Sequence, residues 1–328
     1  MSLARPPQRQ SSGPIASIGR LLVILIFVAV LGGLGWAITV NGSIESTETL
    51  DRDVAAPGTI VVIPGLTEVH LRSEGSGDPV LFIHDFDLAG GYQWAKTAQL
   101  LDGYQLLMPD LVDFGFSARP SLRSRLHTVV GQAETLLALL EELGVSKVSV
   151  VGAGLGGSIA AQMASLQPAV VDRLVLIAPE IFGPDPSWQS MLYRLPSVGD
   201  AMTFTFLGAG SRADASYTAG CGTGGYCPDA ETLATRNAAA MVPGTTNALT
   251  AMYATPPAST LPDSLGTIAA PTLIVWGSDD TTTPLSQGED LQRSVAGSTL
   301  EIVSGTGHRP HLEDPEATAA LISAFLGS

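Results

Sequence analysis

The distribution of apolar and polar positions divides the chain into unequal parts. Near the N-terminus lies "LLVILIFVAVLGGLGWAITV", residues 21–40, twenty residues without a charge. That is about the length a helix needs to cross a ~30 Å hydrocarbon core. Residues 41–57 are polar, acidic and aperiodic, the pattern of a linker. From Gly58 onward, short runs rich in β-branched residues recur: "TIVVI", "TEVHLRS", "PVLFIHD", "YQLLMPD", "KVSVVGA", "RLVLIAP", "PTLIVWG" and "STLEIVS". Each reads as a strand, and those apolar throughout read as strands covered on both faces. Between them lie helical patterns such as "VVGQAETLLALLEELG", Val129 to Gly144, with a glycine at its stop. Alternating strand and helix predicts an α/β fold, a mostly parallel sheet flanked by helices.

The alternation breaks between about Ile181 and Leu265, where the pattern is helical or loop-like until "PTLIVWG" restores strand character. This predicts a helical cap inserted into one α/β domain. The expected organisation is a tail (1–20), a transmembrane anchor (21–40), a linker (41–57), the first part of the core (58–181), the cap (182–264) and the second part of the core (265–328). Trp188, Tyr193 and Phe204 in the cap suit a lid over a pocket for a small apolar ligand; they equally suit the cap's own core.

Charge narrows the partners. The 328 residues carry 16 Lys+Arg and 31 Asp+Glu, a formal charge of −15. Arg5, Arg9 and Arg20 all precede residue 41, where no acid occurs, so the rest of the chain carries 13 − 31 = −18. A phosphate backbone is repelled by such a surface, which argues against nucleic acid. Those three arginines precede the apolar run, whereas Glu45, Glu48, Asp51 and Asp53 follow it. Positive-inside bias then places the tail in the cytoplasm and everything after the single span outside the cell membrane. A cleaved signal peptide is the alternative; its apolar core usually spans ~7–15 residues, and no small-x-small site follows Trp36. Cys221 and Cys227, the only cysteines, suit a local disulfide outside the cytoplasm, with free buried thiols as the alternative. No spacing of His, Cys, Asp or Glu predicts a metal, no motif predicts a cofactor, and nothing sets the oligomeric state.

Candidate chemistry is sought at the carboxyl ends of the strands, where α/β sheets place it. "PVLFIHDFDLAGGYQW", "MPDLVDFGFSARP", "WGSDDTTTP" and "GTGHRPHLEDPEATAALISAFL" together resemble the α/β-hydrolase superfamily, in its branch with a helical cap, from Gly58 to Ser328. The resemblance implies that Asp280 is the acid and His308 the base of a catalytic triad. It implies an oxyanion hole made by the backbone N–H groups of Phe86 and Leu155, and a scaffold role for His84. In "HDFD" Asp85 replaces the family's usual glycine; Asp85 and Asp87 are expected to turn to solvent, and His311 to lie against the cap or at the surface.

The remaining element is the nucleophile elbow, G-x-S-x-G, a strained strand-to-helix turn that lifts a nucleophile above the sheet. Here it reads Gly152-Ala153-Gly154-Leu155-Gly156. Gly154 stands where relatives carry Ser, or Asp in dehalogenases and epoxide hydrolases. Loss of a triad nucleophile costs on the order of 10⁶ in turnover, so acyl-enzyme catalysis through this corner is not available. Ser158 lies a helical turn beyond it and is expected to be a helix residue. Three readings follow: a weak or inactive hydrolase acting as a ligand-binding module; an active hydrolase of esters or other small apolar substrates, using water on the Asp280–His308 pair or another nucleophile such as Ser211 or Ser216; or a serine hydrolase silenced by a glycine substitution.

Overall fold

A computed structural model describes residues 14–55, 57–120, 124–181, 188–195, 197–210, 214–215, 217–218, 226–254 and 261–327. All eight apolar runs are strands: β1 Thr59–Ile63, β2 Thr67–Gly75, β3 Asp78–Ile83, β4 Tyr104–Pro109, β5 Val148–Ala153, β6 Val171–Ile177, β7 Thr272–Gly277 and β8 Thr299–Val303. They form one sheet in the order β1-β2-β4-β3-β5-β6-β7-β8. β2 pairs antiparallel with β1 and β4, and the remaining pairings are parallel. The longer helices are α1 Pro14–Thr47, α2 Val129–Glu142, α3 Leu155–Leu166, α4 Trp188–Tyr193, α5 Val198–Leu207, α6 Ala230–Ala240, α7 Thr245–Ala254, α8 Leu285–Ser294 and α9 Pro315–Leu326.

Period-two alternation in the central strands splits the core into two layers. Leu81, Ile83, Val150 and Leu176 pack with Leu136, Leu139, Ile159 and Met163 of α2 and α3. Val80, Phe82, Val151 and Val175 point the other way, toward Trp94, Ala98 and, from α9, Ala319 and Ile322. Burial on both faces is why these strands are apolar throughout.

Helix α1 is one helix long and apolar enough to cross a membrane, with Leu22, Val23, Ile24, Leu25 and Phe27 exposed. It differs from the expected linker in one respect: residues 41–47 continue the helix instead of forming an aperiodic segment. The polar side chains there satisfy themselves along the helix, Thr39 and Thr47 donating to the carbonyls of Gly35 and Ser43, so they need not interrupt it. Asn41 Nδ2 donates to the Ser197 carbonyl at the start of α5, 2.9 Å, and Ala37 is fully buried. Just beyond, both oxygens of Glu48 accept the backbone N–H groups of Gly244 and Thr246, each at 2.8 Å. A carboxylate thus caps the N-terminus of α7, where the helix dipole favours it, and the apolar helix is fastened to the insertion between β6 and β7.

Candidate active site

The corner between β5 and α3 is the elbow. Gly154 there has φ +51° and ψ −119°, a conformation costly to any residue with a Cβ. A Cβ on Gly156 would lie 2.3 Å from the Ile83 carbonyl oxygen, so close packing of the turn on β3 also demands glycine.

The space above Gly154 is filled from the other side. A Cβ built on Gly154 would lie 2.0 Å from Asp85 Oδ1 and 2.4 Å from its Cγ. Asp85 Oδ1 accepts the Leu155 N–H at 3.0 Å, and the Phe86 N–H also bonds this carboxylate. The two backbone donors expected to make the oxyanion hole therefore hold a carboxylate of the chain itself. This corrects the expectation for Asp85 and Asp87, which are only 3% and 5% exposed. Inside, fixed donors replace the water that each carboxylate would have at the surface. Asp85 Oδ2 lies 3.4 Å from Arg309 Nε. Asp87 accepts Tyr217 Oη–H at 2.6 Å and the Ala89 N–H at 2.8 Å, with Arg309 Nη1 at 3.5 Å. Burial opposes the charge on Asp85, but Arg309, His308 and the two N–H bonds outweigh it and hold its carboxyl below the usual range.

Asp280 and His308 come together as the family pattern implies. His308 Nδ1 lies 3.0 Å from Asp280 Oδ2. Asp280 is held by the N–H groups of Thr282 and Thr283 and by the Thr283 hydroxyl, at 2.7–2.9 Å. The other ring nitrogen of His308 is buried without a hydrogen-bond partner and faces Asp85 Oδ2 at 4.0 Å and Glu180 Oε1 at 3.8 Å. Burial disfavours the imidazolium, yet the Asp280 hydrogen bond and the charges of Asp85, Asp280 and Glu180 raise the His308 pKa overall. Burial, followed by the Asp85 charge, pushes the Glu180 carboxyl up to about 7. Glu180 is fixed at the corner by its backbone, whose N–H donates to the Gly154 carbonyl at 3.2 Å.

Ligand atoms of Asp85, Glu180 and His308 lie within 4.8 Å of one another, a grouping of the kind that holds a metal ion. The sequence offered no spacing for it because the three residues follow three different strands. Arg309 already places one cation against this group.

His84 has the scaffold role implied for it. It is fully buried; its Nε2 accepts the Leu111 N–H at 2.9 Å, so its Nδ1–H donates to the Asp85 carbonyl at 2.6 Å. Gln93 Oε1 accepts the Asp85 N–H at 3.0 Å, completing a rigid loop. Ser158 is a buried residue of α3. His311, expected at the cap or surface, is instead fully buried in the core, its ring 4.5 Å from that of Trp94. Loss of hydration there lowers its pKa to about 3, so it packs as a neutral aromatic.

Beside the corner, on the Phe86–Leu88 loop, a cavity of about 150 Å³ is lined by Phe86, Phe114, Leu249 and Tyr253 together with the charged Asp87 and Arg309, among others; Asp85, Glu180 and His308 do not line it. Tyr193 stacks on Tyr253 at 4.9 Å, and Tyr253 meets Phe86 at 5.1 Å, so Tyr193 belongs to the aromatic roof. Phe204 is half-buried on α5. Trp188 begins α4, but its side chain lies outside the described residues, as do Ser211, Ser216 and Cys221; Cys227 is disulfide-bonded. A larger hollow of about 640 Å³ lies along α2, lined by Glu134, Leu137 and Val170, and contains none of the groups above.

Sequence reasoning missed Glu180, Arg309, Tyr217 and Tyr253. The first two had a usable signal: each adjoins a strand end or a motif already singled out. The two cap tyrosines had none.

The family model described as the alpha/beta hydrolase fold matches residues 58–315. The chain is 28% identical over 287 residues to an uncharacterised protein of Mycobacterium tuberculosis, covering 84% of this chain and 83% of that one. It is 27% identical over 293 residues to a 2-hydroxy-6-oxononadienedioate/2-hydroxy-6-oxononatrienedioate hydrolase of Cupriavidus pinatubonensis, covering 82% and 94%. Among solved structures it resembles a bacterial membrane phospholipase A, with TM-score 0.63 and 23% identity over 94% of this chain and 97% of that one. A meta-cleavage product hydrolase of Pseudomonas fluorescens gives 0.62 and 22% over 82% and 97%. At these identities the structural likeness speaks to the fold.

Proposed function

The chain belongs to the α/β-hydrolase family, and from that premise we propose that it is a membrane-anchored hydrolase of small apolar substrates whose chemistry does not use a serine. The observation that carries this reading is the oriented pair at the corner. Asp280 fixes His308 through Nδ1, and the unpartnered Nε2 faces the Asp85 carboxylate that fills the corner above Gly154, 4.0 Å away. A relic would have no need to keep Asp280 in three further hydrogen bonds. His308 acts as general base, with Asp280 setting its tautomer and stabilising the imidazolium. The aromatic roof favours apolar ligands. Arg5, Arg9 and Arg20 before the span, and the acids after it, support a cytoplasmic tail and an extracytoplasmic domain.

A second reading, a ligand-binding module without turnover, is favoured by one observation: Arg309 and the two N–H donors already neutralise Asp85. The full chain in detergent micelles decides between them. Turnover of 4-nitrophenyl butyrate, 1,2-epoxyhexane or 1-bromohexane, lost in His308→Gln and accompanied by no fluorophosphonate adduct, is the expected result. No turnover of any of the three above the His308→Gln background leaves only the binding module. Protease added to intact spheroplasts is expected to degrade the domain, and full protection would reverse the orientation.

A further inference from the structure

We propose that Asp85 is the nucleophile of this site, its Oδ2 attacking an sp³ carbon that bears a leaving group. This rests on the reading of the chain as a hydrolase and says which atom attacks. The position that a side chain at residue 154 would occupy is taken by the Asp85 carboxylate, whose Oδ1, Cγ and Oδ2 lie 2.0, 2.4 and 3.0 Å from the Cβ that Gly154 lacks. Nucleophile and glycine have thus exchanged places: residue 85, usually glycine in the family pattern, brings the reactive group from the loop after β3 to the corner after β5.

The hydrogen bonds decide what such a carboxylate can do. Oδ1 accepts the Leu155 N–H, and the Phe86 N–H also bonds the carboxylate, so no donor pair is left over for the carbonyl oxygen of a substrate ester. Acyl transfer is therefore disfavoured. The same donors are in place for an oxyanion that develops on Oδ1 itself. Oδ2 is the freer oxygen, with Arg309 Nε at 3.4 Å and His308 Nε2 at 4.0 Å. The latter gap is too long for a hydrogen bond, and one water can span it.

The steps balance. In the first, Oδ2 forms a bond to the substrate carbon as the carbon–leaving-group bond breaks, and the leaving group departs with the electron pair, as halide or as an alkoxide protonated by the carboxyl of Glu180. In the second, His308 Nε2 takes a proton from water, and the hydroxide adds to Asp85 Cγ. The oxyanion on Oδ1 is held by Leu155 and Phe86, and the intermediate collapses by breaking the Cγ–Oδ2 bond. The alcohol leaves with the proton from His308; the Asp85 carboxyl, now holding one oxygen from water, gives its proton to the Glu180 carboxylate where Glu180 protonated the alkoxide, or to solvent where a halide left, and the carboxylate is restored. The substrates are small epoxides or alkyl halides, whose apolar chain would extend from Asp85 past Phe86 toward the neighbouring 150 Å³ cavity.

The test uses the full chain in detergent micelles with 1,2-epoxyhexane and 1-bromohexane. In His308→Gln the first step proceeds and the second does not, so the peptide containing Asp85 is expected to gain the mass of one probe. Asp85→Asn, checked for an unchanged melting temperature, is expected to lose at least about 10³-fold in turnover. In one turnover of the native chain in H₂¹⁸O, the label is expected in the Asp85 carboxylate. Label appearing in the product of that first turnover, with none in Asp85, overturns the assignment while leaving the hydrolase reading intact. So does turnover abolished by EDTA and restored by a divalent metal, which would assign Asp85, Glu180 and His308 to an ion. Failure of either probe to modify Asp85 in His308→Gln, while 4-nitrophenyl butyrate is turned over by the native chain, also overturns it. Turnover of no substrate at all defeats the hydrolase reading itself.

Discussion

Restoring the missing side chain alone should fail, and the reason can be sized. In Gly154→Ser the new Cβ would lie 2.0 Å from Asp85 Oδ1. Asp85 is the end of a short side chain and could swing away, but only by giving up the Leu155 N–H and its approach to Arg309 and His308. Breaking a buried charge pairing costs about 3–5 kcal/mol, and placing a non-glycine residue at φ +51° adds about 1–3 kcal/mol. The sum, about 4–8 kcal/mol, corresponds to a fall of at least about 8 °C in melting temperature for a domain of this size. The introduced hydroxyl would find the oxyanion donors disturbed. Asp85→Gly combined with Gly154→Ser removes the collision, frees both N–H donors and leaves Arg309 its contact with Asp87. The double variant is expected to react with a fluorophosphonate at residue 154 and to exceed the single variant in 4-nitrophenyl butyrate turnover by about 10² or more, a fraction of the ~10⁶ a triad nucleophile contributes. The assay is in-gel labelling, a melting curve and ester turnover on the three proteins. Full labelling of Gly154→Ser with an unchanged melting temperature would refute the placement of Asp85.

Other substitutions test separate contacts. Glu180 and His308 both have raised pKa values in the folded chain. The stability they add is fully present below their unfolded values, about 4.5 and 6.5, and is lost as pH rises through the folded ones, about 7 for Glu180. Melting temperature should therefore fall as pH rises from about 4.5 through 7. Glu180→Gln should flatten that slope by roughly 2–4 °C, a small effect because a third of the side chain is exposed and screened; an unaltered slope refutes the shift. As His308 acts in its neutral form, turnover of 1-bromohexane, which needs no proton from Glu180, should rise with pH through a midpoint above 6.5, and a midpoint below it would contradict the acidic surroundings of the ring. Glu48→Ala leaves two N–H groups of Gly244 and Thr246 without their acceptor; it should cost about 1–3 kcal/mol and speed amide exchange over residues 244–250, whereas unchanged exchange there means the clamp is idle. Tyr217→Phe removes the cap's hydroxyl bond to Asp87; faster exchange at residues 217–218 is expected, and a melting temperature and exchange pattern like those of the native chain would show that this bond does not hold the cap.

Most of the fold was legible because it rests on local pattern. Eight runs of apolar residues became eight strands, since a strand buried on both faces has no polar alternative to confuse its period. The extension of α1 to Thr47 was not legible, because the polar residues after Val40 have the composition of a linker, although their hydroxyls bond carbonyls within the helix and Asn41 meets Ser197, 156 residues away. Within the site, Asp280 and His308 could be placed by motif, each standing on a loop of fixed length after its strand. Asp85 could be identified as a departure from the pattern, but not as the filling of the corner. Its side chain has two directions open to it, and the choice is made by donors from residues 155 and 309, far away in sequence. A rule that sends carboxylates to solvent fails where backbone N–H groups and a guanidinium converge.

The two departures from the family pattern, Asp85 and Gly154, are physically one. With a side chain at 154, Asp85 could not enter the corner; without Asp85, the glycine would leave a polar cavity over two unbonded N–H donors, each costly when buried. Either substitution alone therefore passes through a destabilised chain, whereas the pair keeps the oxyanion donors satisfied and the volume filled. This bears on the reading in which Gly154 is an isolated change that silenced a serine hydrolase. An isolated change would leave a glycine at residue 85 and open space above the elbow. The chain has instead a carboxylate, an arginine that pairs with it and a second aspartate that shares that arginine. Such a set of mutually dependent groups points to a corner built around Asp85, so removing Asp85 should disturb Arg309 and His308 together, whereas the glycine beneath it is only the space the carboxylate requires.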